Sequence, residues 1–335
     1  MLRPVSWRDL PTVFQYRHQG VFLYGAQVAT RGNSLLPASL LHHLKPASHS
    51  CMWICKDPAT GVHIVGQSLH SPDTKFARLS FLAPRTALHA PGSQLLIDQL
   101  ARLTGQQNSF YLLAEVEASS KIFEVLRLSG FTAYAQQRIW KISKKIPATP
   151  TKFSWKIAQS GDRLGIQALY RHVTPEKIQH FEDRNIASYK GLVYIHRSDV
   201  LGFAHVHYGS QGIWVQPYIQ RNTLNAEEII LSLFNSIPER RSRPLHICVR
   251  SYQANIEPVL QSLAAIPGPQ QTNMVKQLAV KTKIRNLITL PNINGQPEIS
   301  MPFSLPGHKF QSTPRKIENP NDMKRESVYG ASANH

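Results

Sequence analysis

Residues 114–131 read AEVEASSKIFEVLRLSGF, and the order of residue types in this stretch decides the fold. Preceded by Phe110–Leu113, it opens as a strongly apolar strand, Phe110–Glu117. Residues Ser119–Ser129 then place Ile122, Val125 and Leu126 on one helical face. Gly130-Phe131 leads out of that helix into a second strand, Thr132–Ile142. Strand, helix and strand in close succession indicate an α/β protein.

Upstream of this unit, Pro91-Gly92-Ser93 precedes Leu95, Leu96, Leu100 and Leu103, which recur at helical spacing and predict a helix from about Ser93. Before it come a strand, Lys75–Ala83, and a hairpin formed by Ser50–Asp57 and Val62–Ser71 around Pro58–Gly61. Leu2–Val5 predicts a first strand, Ser6 and Asp9 have the spacing of a capping box, and Ser34–Lys45 predicts a second helix.

The same order returns downstream. A strand (153–159), helices (162–173 and 176–183), a hairpin (190–197 with 200–208), a strand (213–219), a helix (225–237), a strand (245–252), a helix (256–265) and a last strand (274–282) follow. Ile122, Val125 and Leu126 fall on Ile256, Val259 and Leu260 at one constant offset, and Gly66 and Gly202 hold matching places in the hairpins. Duplication explains both. Pro147 and Pro150 mark a linker, which gives domains at 1–146 and 152–285 joined by 147–151, with a boundary near Thr149. Residues 286–335 are rich in Pro, Asn and Ser and predict a disordered tail.

Composition narrows the class. A chain of 335 residues, 42% of them hydrophobic, accommodates two ordinary domains with separate cores. No apolar run approaches the roughly 18 residues of a membrane-spanning helix, and the opening MLRPVSWRDLP lacks a secretory core, so a soluble cytoplasmic protein is expected. Cys51, Cys55 and Cys248 make neither a disulfide framework nor a zinc site. The net charge of +18 favours anionic partners, nucleic acid among them, but no helix-turn-helix, RNP or zinc-finger motif accompanies it. That charge is spread over both halves, and its longest cluster is Arg240, Arg241 and Arg243.

The order of elements, and most of all the stretch from Ala114 to Phe131 with the strand ending at Gln137-Arg138-Ile139-Trp140, resembles the GNAT acyl-CoA N-acyltransferases. The resemblance covers about residues 1–285 and implies two tandem GNAT-like domains, each a mixed α/β sheet. It implies acetyl-CoA as donor, an amine of a small molecule or protein as acceptor, and a donor site where the fourth and fifth strands splay apart. Backbone amides at the N-terminus of the third helix then hold the pyrophosphate. On that basis Leu82, Ala83, Arg85, Gly92 and Ser93 of the first half, and Val215, Gln220 and Arg221 of the second, are the candidate cofactor-binding residues. Thr223 and Asn225 stand where the family's loop has glycines, and Leu126 and Leu260 stand where it has its tyrosine acid.

Glu115 and Glu117 lie two apart on one predicted strand, so both carboxylates point to one face and are the candidate general bases, with Glu115 preferred. His205 and His207 alternate onto one face in the same way, beside Tyr208, without a third ligand at metal spacing, and an ordinary sheet surface is the simpler reading. No metal is expected. Tyr134, Trp140, Trp155 and Trp214 read as core or interface residues within strands. Besides acyl transfer, two other functions fit the sequence: a GNAT-fold module that binds without chemistry, and association with nucleic acid through the basic surface.

Overall fold

The computed structural model describes residues 1–33, 35, 50–70, 74–143, 152–182, 186, 190–221, 225–238 and 240–279. The chain divides into two units, Met1–Lys283 and Ile284–His335, and every described residue belongs to the first. The expected tail, the linker at 147–151, His42 and His43, and all but Leu35 of the helix expected at Ser34–Lys45 lie outside the described residues.

The first half runs β1 (Leu2–Pro4), α1 (Leu10–Gln15), β2 (Val21–Phe22), α2 (Gly25–Arg31), β3 (Ser50–Lys56), β4 (His63–His70) and β5 (Phe76–Ala83). It closes with α3 (Pro91–Gln106), β6 (Tyr111–Glu117), α4 (Lys121–Leu128) and β7 (Thr132–Ile142). The second half runs β8 (Trp155–Ile157), α5 (Arg163–Val173), α6 (Glu176–Gln179), β9 (Gly191–His196), β10 (Asp199–Tyr208), β11 (Ile213–Ile219), α7 (Ala226–Ser236), β12 (Leu245–Arg250), α8 (Glu257–Ser262) and β13 (Ile266–Gln277).

Local chemistry repeats with the element order. The Asp9 carboxylate accepts the Ser6 N–H at 2.8 Å and pairs with Arg3 at 2.6 Å, starting the turn into α1. In the second half Asp162 accepts the Gln159 N–H at 2.9 Å and pairs with Lys156 at 3.1 Å, starting the turn into α5. Gly66 and Gly202 are both places of close approach: a Cβ would lie 2.8 Å from Leu82 at the first and 2.6 Å from Trp155 at the second.

The two halves share one sheet, ordered β1-β3-β4-β5-β6-β13-β7-β12-β11-β10-β9-β8, with β2 paired to β5. At its centre the last strands are exchanged. β13 of the second half pairs antiparallel with β6 of the first, while β7 of the first pairs antiparallel with β12 of the second, and β13 and β7 pair with each other. Each core therefore borrows from the other half. Met274 and Leu278 pack among the residues under α3 and α4, and Trp140 and Ile142 pack among those under α7 and α8. Helix α2 crosses over too, setting Ala26 and Ala29 against Trp214 and Cys248.

The last strand departs from expectation. It begins at Ile266 and ends at Gln277, where the sequence pattern predicted Met274–Thr282. The strand includes Pro267 and Pro269, and the ladder with β7 shifts register between Pro267 and Gln270, so the residues that cannot donate sit at a bulge. Gly268 fits there because a Cβ would lie 2.8 Å from the Ile139 carbonyl oxygen. β2 and α2 have no expected counterpart, being too short for periodicity to reveal.

Candidate active site

In the first half β5 and β6 run parallel only from Phe76 opposite Tyr111 to Arg78 opposite Leu113, and then separate. β2 enters the gap. It pairs with β5 at Val21–Leu82 and Phe22–Phe81, and Leu23 bridges the two walls, donating its N–H to Ser80 O at 2.8 Å and accepting the Glu115 N–H at 2.9 Å. Beyond this bridge, between β2 and the end of β6, a groove of about 690 Å3 remains. Arg17, His18, Arg85, His89 and Lys121 line it, giving it a basic character.

Glu115 closes the groove at its inner end. It is 6% exposed. Its Oε2 accepts the Gly25 N–H at 2.8 Å and Gln137 Nε2 at 3.0 Å, while Oε1 lies 3.7 Å from Arg78 Nη1. Glu117, on the same groove wall, is exposed and accepts the Ser119 hydroxyl at 3.1 Å. Of the expected donor contacts, Arg85 borders the groove, whereas Leu82 and Ala83 are wholly buried and Leu82 is flanked by β2 and β4.

The start of α3 is already occupied by the protein itself. The Gly92 N–H donates to Asp57 Oδ1 at 2.8 Å, and the buried Asp57 also accepts the N–H and hydroxyl of Thr60, at 2.7 and 2.8 Å. Desolvation raises the Asp57 carboxyl, but hydrogen bonds from Thr60, Gly92 and Ala59 outweigh it and leave the net shift downward. Ser93 is buried and donates its hydroxyl to Ala87 O. Asp57 thus takes the place at the helix N-terminus that an anion would take.

The second half separates its strands likewise. β11 and β12 run parallel from Ile213 opposite Leu245 to Val215 opposite Ile247. Past that point the wholly buried Gln253 spans the opening, accepting the Ile219 N–H at 2.9 Å and donating to Ile219 O at 3.3 Å. Val215 is buried, the Gln220 N–H pairs with Leu201 O, and Arg221 donates to Tyr252 O at 2.9 Å. Helix α7 carries Glu227 and Glu228 in its first turn, where they oppose a second anion. Thr223 lies outside the described residues, and Asn225 caps α7 at φ 60°.

A second recess, of about 280 Å3, lies between the halves and shares Glu115 with the groove. The partition is the stretch from Leu23 to Ala26: Leu23 and Gly25 line the groove, and Tyr24 and Ala26 line the cavity. Its polar lining residues include His70, Thr74, Arg78, Tyr134, Glu182, His205, Gln216 and Arg250 beside Glu115. Arg250 pairs with Glu182 at 3.2 Å, each side chain 7% exposed, and Tyr252 donates its hydroxyl to the same carboxylate at 3.3 Å. Desolvation pushes the Tyr134 hydroxyl up to about 12, so it stays protonated. Desolvation, with help from His207 and Arg78, pulls His205 down to about 4, so its ring is neutral at pH 7.

Of the residues named from the sequence, Glu115 and Arg85 line the groove, whereas Arg78, Glu182 and Arg250, which line the cavity, were not among them. The signal was a charged residue within a largely apolar strand for Arg78, in FARLSFLA, and at the end of one for Arg250, in LHICVR, which marks a buried charge with a partner. Leu126 and Leu260 are wholly buried in the two cores, and Trp140, Trp155 and Trp214 are buried as expected of core and interface residues. Among the described residues no group of three His, Cys, Asp or Glu side chains converges to hold a metal, and no helix among them is long and apolar enough to cross a membrane.

No family model matches this sequence, and no curated protein does. Solved structures do. A GCN5-related N-acetyltransferase from Sphaerobacter thermophilus is similar at 10% identity and a TM-score of 0.52, over 84% of this chain and 96% of that one. A tandem GNAT protein from the clavulanic acid biosynthesis pathway is similar at 13% identity and a TM-score of 0.49, over 84% of this chain and 99% of that one. The chain has the GNAT fold.

Proposed function

We propose that this protein is an acyl-CoA-dependent N-acyltransferase, with acetyl-CoA as donor in the first-half groove and an amine acceptor in the cavity between the halves. One observation carries the reading: the two recesses are divided by a single stretch of backbone, Leu23–Ala26, and meet on one carboxylate, Glu115. A donor brought from one side and an acceptor from the other would need such a meeting point.

The residues present fit an anionic donor in an altered way. Asp57 fills the start of α3, so Arg17, Arg85 and Lys121 at the groove replace helix amides as the phosphate contacts. The bound thioester supplies the acyl carbon that the amine attacks, with loss of thiolate. Glu115 is held in place through Oε2 by Gly25 and Gln137, and Oε1, 3.7 Å from Arg78 Nη1, is the oxygen that takes the amine's proton, directly or through a water. With leucine at positions 126 and 260, the departing thiolate takes its proton from solvent or from the released amine proton.

A second reading is a module that binds acyl-CoA without turnover, and the same two leucines together with Asp57 favour it. Calorimetric titration of the whole chain with acetyl-CoA, followed by assay of free thiol release over an amine panel, separates the readings. Micromolar binding with turnover supports the enzyme. Binding without turnover for any amine selects the module, and no binding refutes both.

A further inference from the structure

Arg250 is a guanidinium at the end of β12, 94% buried by the 6% exposure of the residue, on the wall of the cavity between the halves. Its ion pair with Glu182 uses Nη2. Nε and Nη1 have no hydrogen-bond partner among the described residues, while Glu182 engages Arg250 Nη2 through Oε1 and the Tyr252 hydroxyl through Oε2. A buried donor left open is unfavourable, and charged donors are kept buried only with acceptors at hand. On the cavity wall Arg250 thus keeps two donors for which the described residues supply no acceptor.

The charges of the cavity narrow the class of ligand. Among the described lining residues Arg78 and Arg250 are matched in number by Glu115 and Glu182, the lowered His205 adds nothing at neutral pH, and His70 has its Nδ1 2.6 Å from the Ser109 hydroxyl. A lone carboxylate or a lone ammonium would leave one uncompensated charge in a buried site, which is strongly unfavourable. A ligand bearing both leaves the balance unchanged. Phe76, Leu113, Phe181 and Trp214 on the same walls offer apolar surface, and about 280 Å3 suits a small metabolite rather than a larger ligand.

We propose that this cavity binds an amino acid or a close derivative of one, its carboxylate on Arg250 and its amine on the Glu115 side. The assignment rests on the acyltransferase reading for the role of the amine as acceptor, while the binding itself does not require it. The acceptor of the reaction would then be an α-amino acid, and the product an N-acylated one.

The test is calorimetric titration of the full chain, without acyl-CoA, using the common L-amino acids. Each ligand found is then compared with its decarboxylated amine and its deaminated acid. At least one amino acid is expected to bind below millimolar concentration, with both analogues at least tenfold weaker. Arg250→Gln is expected to weaken the amino acid by at least tenfold and to leave the decarboxylated amine unchanged. Because Arg250→Gln leaves Glu182 unpaired, the double variant Arg250→Gln/Glu182→Gln serves if the single one fails to fold, and the wild-type analogue comparison needs no variant. Absence of binding by every amino acid, or analogues binding as tightly as their parents, overturns the assignment. Acetyl-CoA affinity for the groove is read separately, so a negative result here leaves the donor reading standing, and the converse also holds.

Discussion

Gln137 and Gln271 face each other across β7 and β13, and Gln137 Nε2 donates to Gln271 Oε1 at 2.8 Å. They are related by the offset that links Ile122 to Ile256, so the same residue of each half meets its counterpart at the centre of the sheet. Gln137 also donates to Glu115 Oε2 and accepts Cys248 Sγ at 3.3 Å, which ties the candidate base to the second half through one amide.

Gln137→Ala leaves buried Glu115 with one donor fewer on Oε2. The cost should be about 1–3 kcal/mol, seen as a lower urea midpoint at unchanged slope. Gln137→Glu should cost more, since it sets a like charge beside Glu115. A variant as stable as the wild type would show that the amide does not hold the carboxylate.

Gly25 has little room. A Cβ there would lie 2.7 Å from Ile139 Cδ1 and 2.8 Å from Glu115 Oε2. Gly25→Ala should therefore destabilise by about 1–3 kcal/mol, as overpacking does, and should move the partition between groove and cavity. Affinity for acetyl-CoA and turnover should both fall, which binding and thiol-release measurements on the same preparation would reveal.

Stability should depend on pH through His205. Its folded value, about 4, lies below the ordinary value of 6.5, so the unfolded chain binds more protons between these limits and stability is full above about 6.5 and lost toward 4. Lowering the pH from 7 to 5 should cost the wild type about 1–2 kcal/mol more than His205→Gln. Denaturation at the two pH values measures the difference, and equal slopes would remove His205 as the cause.

Arg17→Ala, Arg85→Ala and Lys121→Ala should each weaken acetyl-CoA binding by roughly three- to tenfold, and the wild-type affinity should fall with added salt, since the groove residues are screened by solvent ions. Calorimetry at two salt concentrations is the measurement. Affinity indifferent to all three substitutions would move the donor out of this groove.

Much of the fold was legible because it rests on local pattern. The alternation and apolarity of Phe110–Glu117 and the stripe Ile122, Val125 and Leu126 specify β6 and α4, and Gly130 follows α4 at φ 82°, where glycine is favoured. The exchange of β7 and β13 was not legible, because either strand satisfies its pattern beside either neighbour. For the site, Glu115 stood out as an acid in an apolar strand, but its partner Arg78 belongs to another strand and Arg250 to the other half. The Asp57 carboxylate at Gly92 is equally non-local, since the sequence between them shows only a hairpin and a strand.

The position of β13 between β6 and β7 sets a timetable for synthesis. As the chain leaves the ribosome, the edge of β6 waits for Ile266–Gln277, the last strand described, before it has its partner. Until then that edge of β6 lacks its native neighbour, a delay in which pairing with β7 or with neighbouring nascent chains competes. Were the two halves separate chains, this exchange of strands would require two molecules to meet. Joining them in a single polypeptide turns that encounter into an intramolecular step, set by chain length and independent of protein concentration.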